Sequence, residues 1–269
     1  MTDRPKIEVL ICTIDGGIES VPKVLLPPRP DVGYLVSWQH TAEGHYDLPE
    51  SFSDRKDVRV THLSGRGLSA NRNHALSQAR GEILLIADDD VAYGPESFDN
   101  ILRTFGKYPD VSLICFQALN EQGKPMRNYP DFPHKYEERP YGSFVCSWEI
   151  ALRNSSALPR FDERFGLGSP YLACGEEEIF VEDVARQGLG VRYEPLSIVR
   201  TESLTTGTRF MISPAVQRSK GAVLYYMHGF RGAFLRCVKC ALHVPGFFRK
   251  WKVFVNLWNG IRYIQRTDK

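Results

Sequence analysis

An unbroken apolar run, Ile83-Leu-Leu-Ile-Ala87, ends directly on Asp88-Asp89-Asp90 and restricts this chain more than any other stretch. Apolar residues without polar alternation suit a strand covered on both faces, as in the parallel sheets of α/β proteins. Three adjacent carboxylates repel and raise one another's pKa. A cation is the usual way to neutralise such a cluster, and an all-oxygen set suits Mg²⁺ or Mn²⁺. Ligands of open α/β sheets bind beyond the carboxyl ends of the strands, so a cation held there could in turn hold a diphosphate. The same residues also read as an acidic turn leading into the next helix, with Pro95 in its first turn. This stretch alone does not separate the two readings.

The flanking sequence supplies the rest of an α/β pattern. Lys6 to Thr13, Asp31 to Trp38 and Val58 to Leu63 read as strands, with a short helix over 18–26 after the first. Ser69 can cap a helix whose narrow face is Ala70, Ala75, Leu76 and Ala79. A helix over 95–107 and a strand from Val111 to Gln117 follow the acidic triplet. Strand, helix and strand at this spacing build βαβ units and a parallel sheet. Residues 120–142 form a long irregular loop, and Ser143 to Arg153 is strand-like. Residues 161–168 make a turn-rich linker. Gly175-Glu-Glu-Glu opens a helix that closes near Arg186 and Gly188. Short strands are expected near 189–193 and 196–200, and 214–263 is largely helical.

The chain of 269 residues has a formal net charge of +2, which hides an asymmetry. Residues 1–214 carry −8, and residues 215–269 carry +10 with one acidic residue. The expected division is therefore a domain over 1–213 and a basic, aromatic-rich helical extension over 214–269. No run of about 18 apolar residues is present to span a membrane. No signal peptide is visible ahead of the first strand. The six cysteines are scattered and often apolar in context, as expected of reduced thiols in a cytoplasmic protein. Cys237-Val-Lys-Cys240 lacks a second ligand pair and reads as a helix face.

Taken in order, these landmarks resemble the inverting family-2 glycosyltransferases of the GT-A fold, over roughly residues 6–210. The resemblance rests on four pieces: the strand ending Cys-Thr-Ile-Asp15, the segment Ala70-Asn-Arg-Asn-His-Ala-Leu-Ser-Gln-Ala-Arg-Gly81, the Asp88-x-Asp90 triplet ahead of Pro95, and Gly-Glu176-Glu177 opening a helix. Bacterial enzymes that build surface glycans look most similar. The resemblance implies a Rossmann-like, mixed and mostly parallel sheet flanked by helices; the basic helical appendage read from the charge asymmetry follows it in sequence. It also implies transfer of a sugar from a nucleotide-sugar, a UDP-sugar first, to a hydroxyl of a glycan or lipid-linked glycan, with Mn²⁺ or Mg²⁺ as cofactor.

Its roles fall on residues as follows. Asp90, with Asp88, matches the metal-binding carboxylates. Asp88 and Asp89 match positions near ribose and base, and Thr13 and Asp15 match the first nucleotide-contacting loop. Arg66 and Arg72 are candidates for the nucleotide. Glu177 matches the second acid of a Glu-Asp pair, where the general base sits, and Glu176 beside it is assigned to the acceptor. Trp148 and Tyr171 offer rings for stacking on the acceptor sugar or for core packing. The sequence departs from the pattern twice. Gln39 stands where an acidic residue usually reads uracil, and Val199-Arg-Thr-Glu202 lacks the late metal-binding His.

Three other expectations complete the reading. Phe247, Trp251, Phe254 and Trp258 share one helix face with Arg249, Lys250 and Lys252 elsewhere around it, as in helices lying on anionic membranes. That predicts peripheral association with the inner face of the cell membrane. Nucleic acid is not expected as a partner, because no recognised binding motif accompanies the basic tail. A non-catalytic sugar-nucleotide or glycan-binding module and a sugar-phosphate nucleotidyltransferase are the alternatives. The first needs no base at Glu177, and the second needs a basic phosphate loop that Cys12-Thr-Ile-Asp-Gly-Gly17 lacks.

Overall fold

The computed structural model describes residues 4–41, 44, 46–202 and 206–267. Met1, Thr2 and Asp3, ahead of the first strand, lie outside the described residues. Five helices and nine strands are described, and the chain divides into two compact units, each with its own core.

The first unit comprises Met1–Arg66, Ala70–Arg160 and Asp183–Ser203. Its sheet runs in the order β3 (Val58–Ser64), β2 (Val32–His40), β1 (Ile7–Ile14), β4 (Ile83–Asp88), β8 (Ile150–Arg153), β6 (Val111–Leu119), β9 (Gly190–Thr201) and β5 (Val91–Tyr93), with β7 (His134–Lys135) on β9. β1, β2, β3 and β4 are mutually parallel. β6 is parallel to β9, while β8 runs antiparallel between β4 and β6. β5 and the short β7 pair antiparallel with β9. The sheet is therefore mixed, with its parallel part at β3-β2-β1-β4. One face of that part is a continuous core: Ile7, Val9, Ile11, Tyr34, Val36, Trp38, Leu85 and Ala87 meet Ile18, Val21 and Val24 from the turns after β1, and Phe98, Ile101 and Phe105 from α2 (Ser97–Lys107). Each of the Val, Leu, Ile and Phe side chains here is worth about 1.5–3 kcal/mol when fully buried, so this face anchors the register of the strand ends.

The second unit comprises Gly67–Ser69, Phe161–Glu182 and Leu204–Lys269. It includes the start of α1 (Leu68–Gln78), most of α3 (Glu176–Arg186), and α4 (Pro214–Leu242) with α5 (Phe247–Thr267). Its boundary differs from the expected one at 213/214. Phe165, Leu172 and Ile179 form a core with Ala222, Val223 and Ile264, so the segment 161–182 joins the C-terminal helices. α4 and α5 cross closely: a Cβ added at Gly221 would strike the Leu257 carbonyl, and one at Gly260 the Arg218 carbonyl.

Several local expectations change. The helix expected over 18–26 is a pair of 3₁₀ turns, Asp15–Glu19 and Val21–Lys23. Ser69 does not cap α1; it lies inside the helix and its hydroxyl donates to the Phe165 carbonyl at 2.7 Å. The strand expected from Ser143 begins only at Ile150, after a 3₁₀ turn at Ser147–Glu149. The two strands expected near 189–200 are one strand, β9, with Pro195 in an irregular step between the pairs Cys115–Tyr193 and Gln117–Ser197. A proline without an N–H is tolerated at such a break in the ladder.

Candidate active site

The site in the first unit follows from strand register. Thr13 pairs with Trp38, Ile14 with Gln39, and Cys12 with Asp88, so the carboxyl ends of β1, β2 and β4 form one edge. Alternation along a strand sends neighbouring side chains to opposite faces. Asp88 reaches the Arg72 guanidinium of α1 at 3.2 Å. Asp89, the next residue, accepts a short hydrogen bond from the Thr13 hydroxyl. A Cβ at Gly17 would collide with both members of that pair, so only glycine leaves room for it. Asp90 is exposed at the end of the triplet.

The expected repulsion appears at Asp89. Burial raises its pKa first, and Asp88 and Asp90 raise it further, against the lowering effect of Thr13. Cys12, buried behind the site, has its thiol pushed up to about 12, chiefly by burial. That makes it an inert packing group rather than a nucleophile.

Asp15 sits at φ 48, in the left-handed region. Its two carboxylate oxygens accept from the Thr41 amide at 2.8 Å and the Thr41 hydroxyl at 2.7 Å. Its carbonyl accepts from the Trp38 indole N–H at 2.9 Å. The Thr41 bonds hold its pKa below the ordinary value, and the charges of His40 and Arg66 add to the effect. Asp15 therefore fixes the loop after β1 against the end of β2. Arg66, exposed in the loop after β3, leaves its charge available to that edge.

Three residues that sequence reasoning did not single out complete the framework. Asn71 donates to the Thr13 carbonyl at 3.0 Å and accepts from Ser37 at 2.5 Å, tying α1 to β1 and β2. Ser147 lies 3.4 Å from Asp88, and Thr41 holds Asp15. Asn71 belongs to the quoted Ala70-Asn-Arg-Asn segment, but nothing in its type distinguishes it there from a solvent-facing helix residue.

Some expected contacts are corrected. Arg72 is 1% exposed and pairs with Asp88 at 3.2 Å, which places it to orient the triplet. Trp148 is 8% exposed within the core of the first unit, so its ring offers no open face for a sugar. Tyr171 has the Arg218 guanidinium 4.2 Å from its ring centroid and the Tyr263 ring 4.7 Å away, so it packs within the second unit. Gln39 is buried at the end of β2. Glu176 is buried in the first turn of α3, against Gly166. Glu177 follows it, half-buried, and Glu178 pairs with Lys220 at 3.7 Å. These three acids belong to the second unit and the aspartate triplet to the first.

The mixed, mostly parallel sheet flanked by helices is a GT-A-like glycosyltransferase fold. Residues 41–160 match the model of glycosyl transferase family 2. A 107-residue stretch is 27% identical to EpsH of Bacillus subtilis (strain 168), a candidate glycosyltransferase; it covers 39% of this chain and 30% of that protein. The chain thus spans under a third of that relative's length. Among solved structures, S. aureus TarS 1-349 superposes with a TM-score of 0.60 at 13% identity, covering 98% of this chain and 92% of that one. TarS 1-349 in complex with UDP-GlcNAc superposes with a TM-score of 0.54 at 14% identity, covering 97% and 92%. At such identities the likeness is one of fold.

Proposed function

We propose that the chain is a metal-dependent, inverting glycosyltransferase that moves a hexose-type sugar from a UDP-sugar to a hydroxyl of a glycan or lipid-linked glycan. The observation that carries this reading is the aspartate triplet at the shared edge of β1, β2 and β4. The solved complexes of TarS with UDP and with UDP-GlcNAc make a UDP-sugar the first donor to test.

The donor set suits a hard cation held by few protein ligands. Asp88 keeps 22% of its side chain exposed, and Asp90 is exposed beyond it, while Asp89 is engaged with Thr13. Among the described residues no three His, Cys, Asp or Glu side chains converge as a complete cage. Two carboxylates, with diphosphate oxygens and water completing the shell, match the habits of Mg²⁺ and Mn²⁺. A cation there would screen the charge that develops on the leaving diphosphate. Arg72 orients Asp88, Thr13 orients Asp89, and Asp15 with Thr41 fixes the loop expected to meet the nucleotide.

In this reading Glu177 takes the proton of the attacking acceptor hydroxyl, an action worth roughly 10²–10⁴-fold in rate. Its place in the first turn of α3 favours the carboxylate through the helix dipole, while burial opposes that. The basic C-terminal helices would keep the enzyme on the inner face of the cell membrane, beside lipid-linked acceptors.

The test is a thermal-shift screen of sugar nucleotides with and without Mn²⁺, followed by NMR of the product made by the preferred donor. A stabilising UDP-sugar and an inverted anomer are expected. Glu177→Gln should keep donor stabilisation and lose turnover. Retention of configuration would exclude single displacement, and donor binding without transfer to any glycan acceptor would favour the non-catalytic module.

A further inference from the structure

The second unit carries a surface that the transfer reaction does not use. Residues 206–267 contain eleven Lys and Arg and no Asp or Glu. At Gly229 the backbone of α4 leaves helical geometry, with φ 65 and ψ −179, a conformation open to glycine alone. Beyond that break, α4 and the start of α5 form a hairpin. Its inner side is closed: Ala233, Cys237, Val244, Val253, Leu257 and Ile261 share one core.

The aromatic stripe lies elsewhere on the hairpin. Phe234 of α4 is 6.1 Å from both Phe254 and Trp258 of α5, and Trp251 is 6.2 Å from Phe254, measured between ring centroids. These contacts join the two helices into one aromatic face. It opens to solvent toward the tip, where Phe247, Phe248 and Trp251 are 80%, 82% and 63% exposed, with Leu235 and Leu242 exposed on α4. Six cations punctuate the same segment, from Arg231 to Lys252.

We infer that this hairpin tip is a membrane-inserting wedge that docks on an anionic lipid bilayer. The inference deepens the peripheral-membrane part of the proposed function and rests on that part alone. Rings exposed to this extent keep most of their surface outside the packing of the chain, and a contiguous apolar patch of this kind marks an interaction site. The charge selects the partner. A surface with cations, rings and no acid complements phosphate headgroups, with the rings entering the boundary between headgroups and acyl chains. Among the described residues no helix is long and apolar enough to cross a membrane, so the hairpin would lie in the interface. Apolar insertion and basic charge together supply the two signals that stable anchoring requires.

The experiment is co-sedimentation of the full chain with phosphatidylglycerol-containing vesicles and with neutral phosphatidylcholine vesicles, at low and high salt. Binding to the anionic vesicles at low salt is expected, with weak binding to neutral ones. Phe247→Ser/Phe248→Ser/Trp251→Ser should leave the circular dichroism unchanged and abolish binding, since these side chains are exposed. Arg249→Glu/Lys250→Glu/Lys252→Glu should weaken it more than a hundredfold, because each basic residue contributes about fivefold near such a surface. The inference is overturned if the parent stays in the supernatant with anionic vesicles at low salt, or if the serine variant sediments like the parent. It is also overturned if the parent forms a concentration-dependent dimer that the serine substitutions dissolve, since a second copy then covers the face. UDP-sugar stabilisation, measured without vesicles, is expected to be unchanged in both variants. Its absence from the parent would count against the transferase reading and leave the wedge standing.

Discussion

Arg72 and Asp88 form an unequal ion pair: the guanidinium is 1% exposed, the carboxylate 22%, and they meet at 3.2 Å. A buried cation whose partner is removed costs far more than a partly hydrated carboxylate that loses its own. Asp88→Asn should therefore lower stability more than Arg72→Met, by a difference of about 1–3 kcal/mol. Both should lose transfer, Asp88→Asn through the donor site and Arg72→Met through its misplacement. Urea unfolding of the two variants, with kinetics alongside, checks the order. Equal losses of stability would show that Asp88 is not the main counter-charge.

Gly17 gives a steric test of the same edge. Gly17→Ala should displace the Thr13–Asp89 pair while leaving the core intact. Affinity for the UDP-sugar should fall about tenfold or more, equivalent to about 1.4 kcal/mol, with little change in Tm. Isothermal titration against the parent measures it, and unchanged affinity would remove Thr13 and Asp89 from the donor site.

Asp15 gives a pH test. Hydrogen bonds from Thr41 hold its folded pKa below the ordinary value of 3.8. A group shifted in that direction contributes stability that is complete above the unfolded value and disappears as pH falls through the folded one. Asp15→Asn, which keeps the tolerance for positive φ, should lower Tm at neutral pH and lose its effect as the pH falls below 3.8 and through the folded value. A deficit that persists undiminished in acid would show that the charge is not what Thr41 stabilises.

The second buried pair tests how the turn before β8 is held. Glu149 accepts from Arg127, from the Tyr129 hydroxyl at 2.6 Å and from the Cys146 amide at 3.0 Å. Burial raises its pKa against these partners. Arg127→Met should cost about 3–5 kcal/mol, and Arg127→Met/Glu149→Leu should recover much of it, because the second change removes the stranded carboxylate. Thermal unfolding of single and double variants checks the coupling.

Much of this architecture was legible because its signals are local. The apolar run into Asp88 marked β4 and its loaded end, and the paired apolar strands marked β1 and β2. The acid-rich start and Gly188 stop marked α3. What was hidden depends on neighbours distant in sequence. Whether Trp148 stacks on a ligand or fills a core is decided by the sheet around it. Arg72 looks like a surface phosphate contact until α1 is seen to lie against β4. Two short strands were expected near 189–200, and only the irregular pairing with β6 shows that β9 continues past Pro195. The aromatic stripe on α5 was evident from its spacing. That Val253, Leu257 and Ile261, rather than the rings, make the buried face became clear only from the packing.

The central claim is that Asp88 and Asp90 hold a divalent cation that in turn holds a nucleotide-sugar. Isothermal titration of the full chain with UDP-GlcNAc and other UDP-sugars, with Mn²⁺ and with EDTA, tests it most directly, using Asp90→Ala as the comparison. Tight binding of at least one UDP-sugar is expected with Mn²⁺, weakened at least a hundredfold by EDTA and equally by Asp90→Ala, a loss of about 2.7 kcal/mol. Binding of the same strength in EDTA, or by Asp90→Ala with Mn²⁺, would contradict the account.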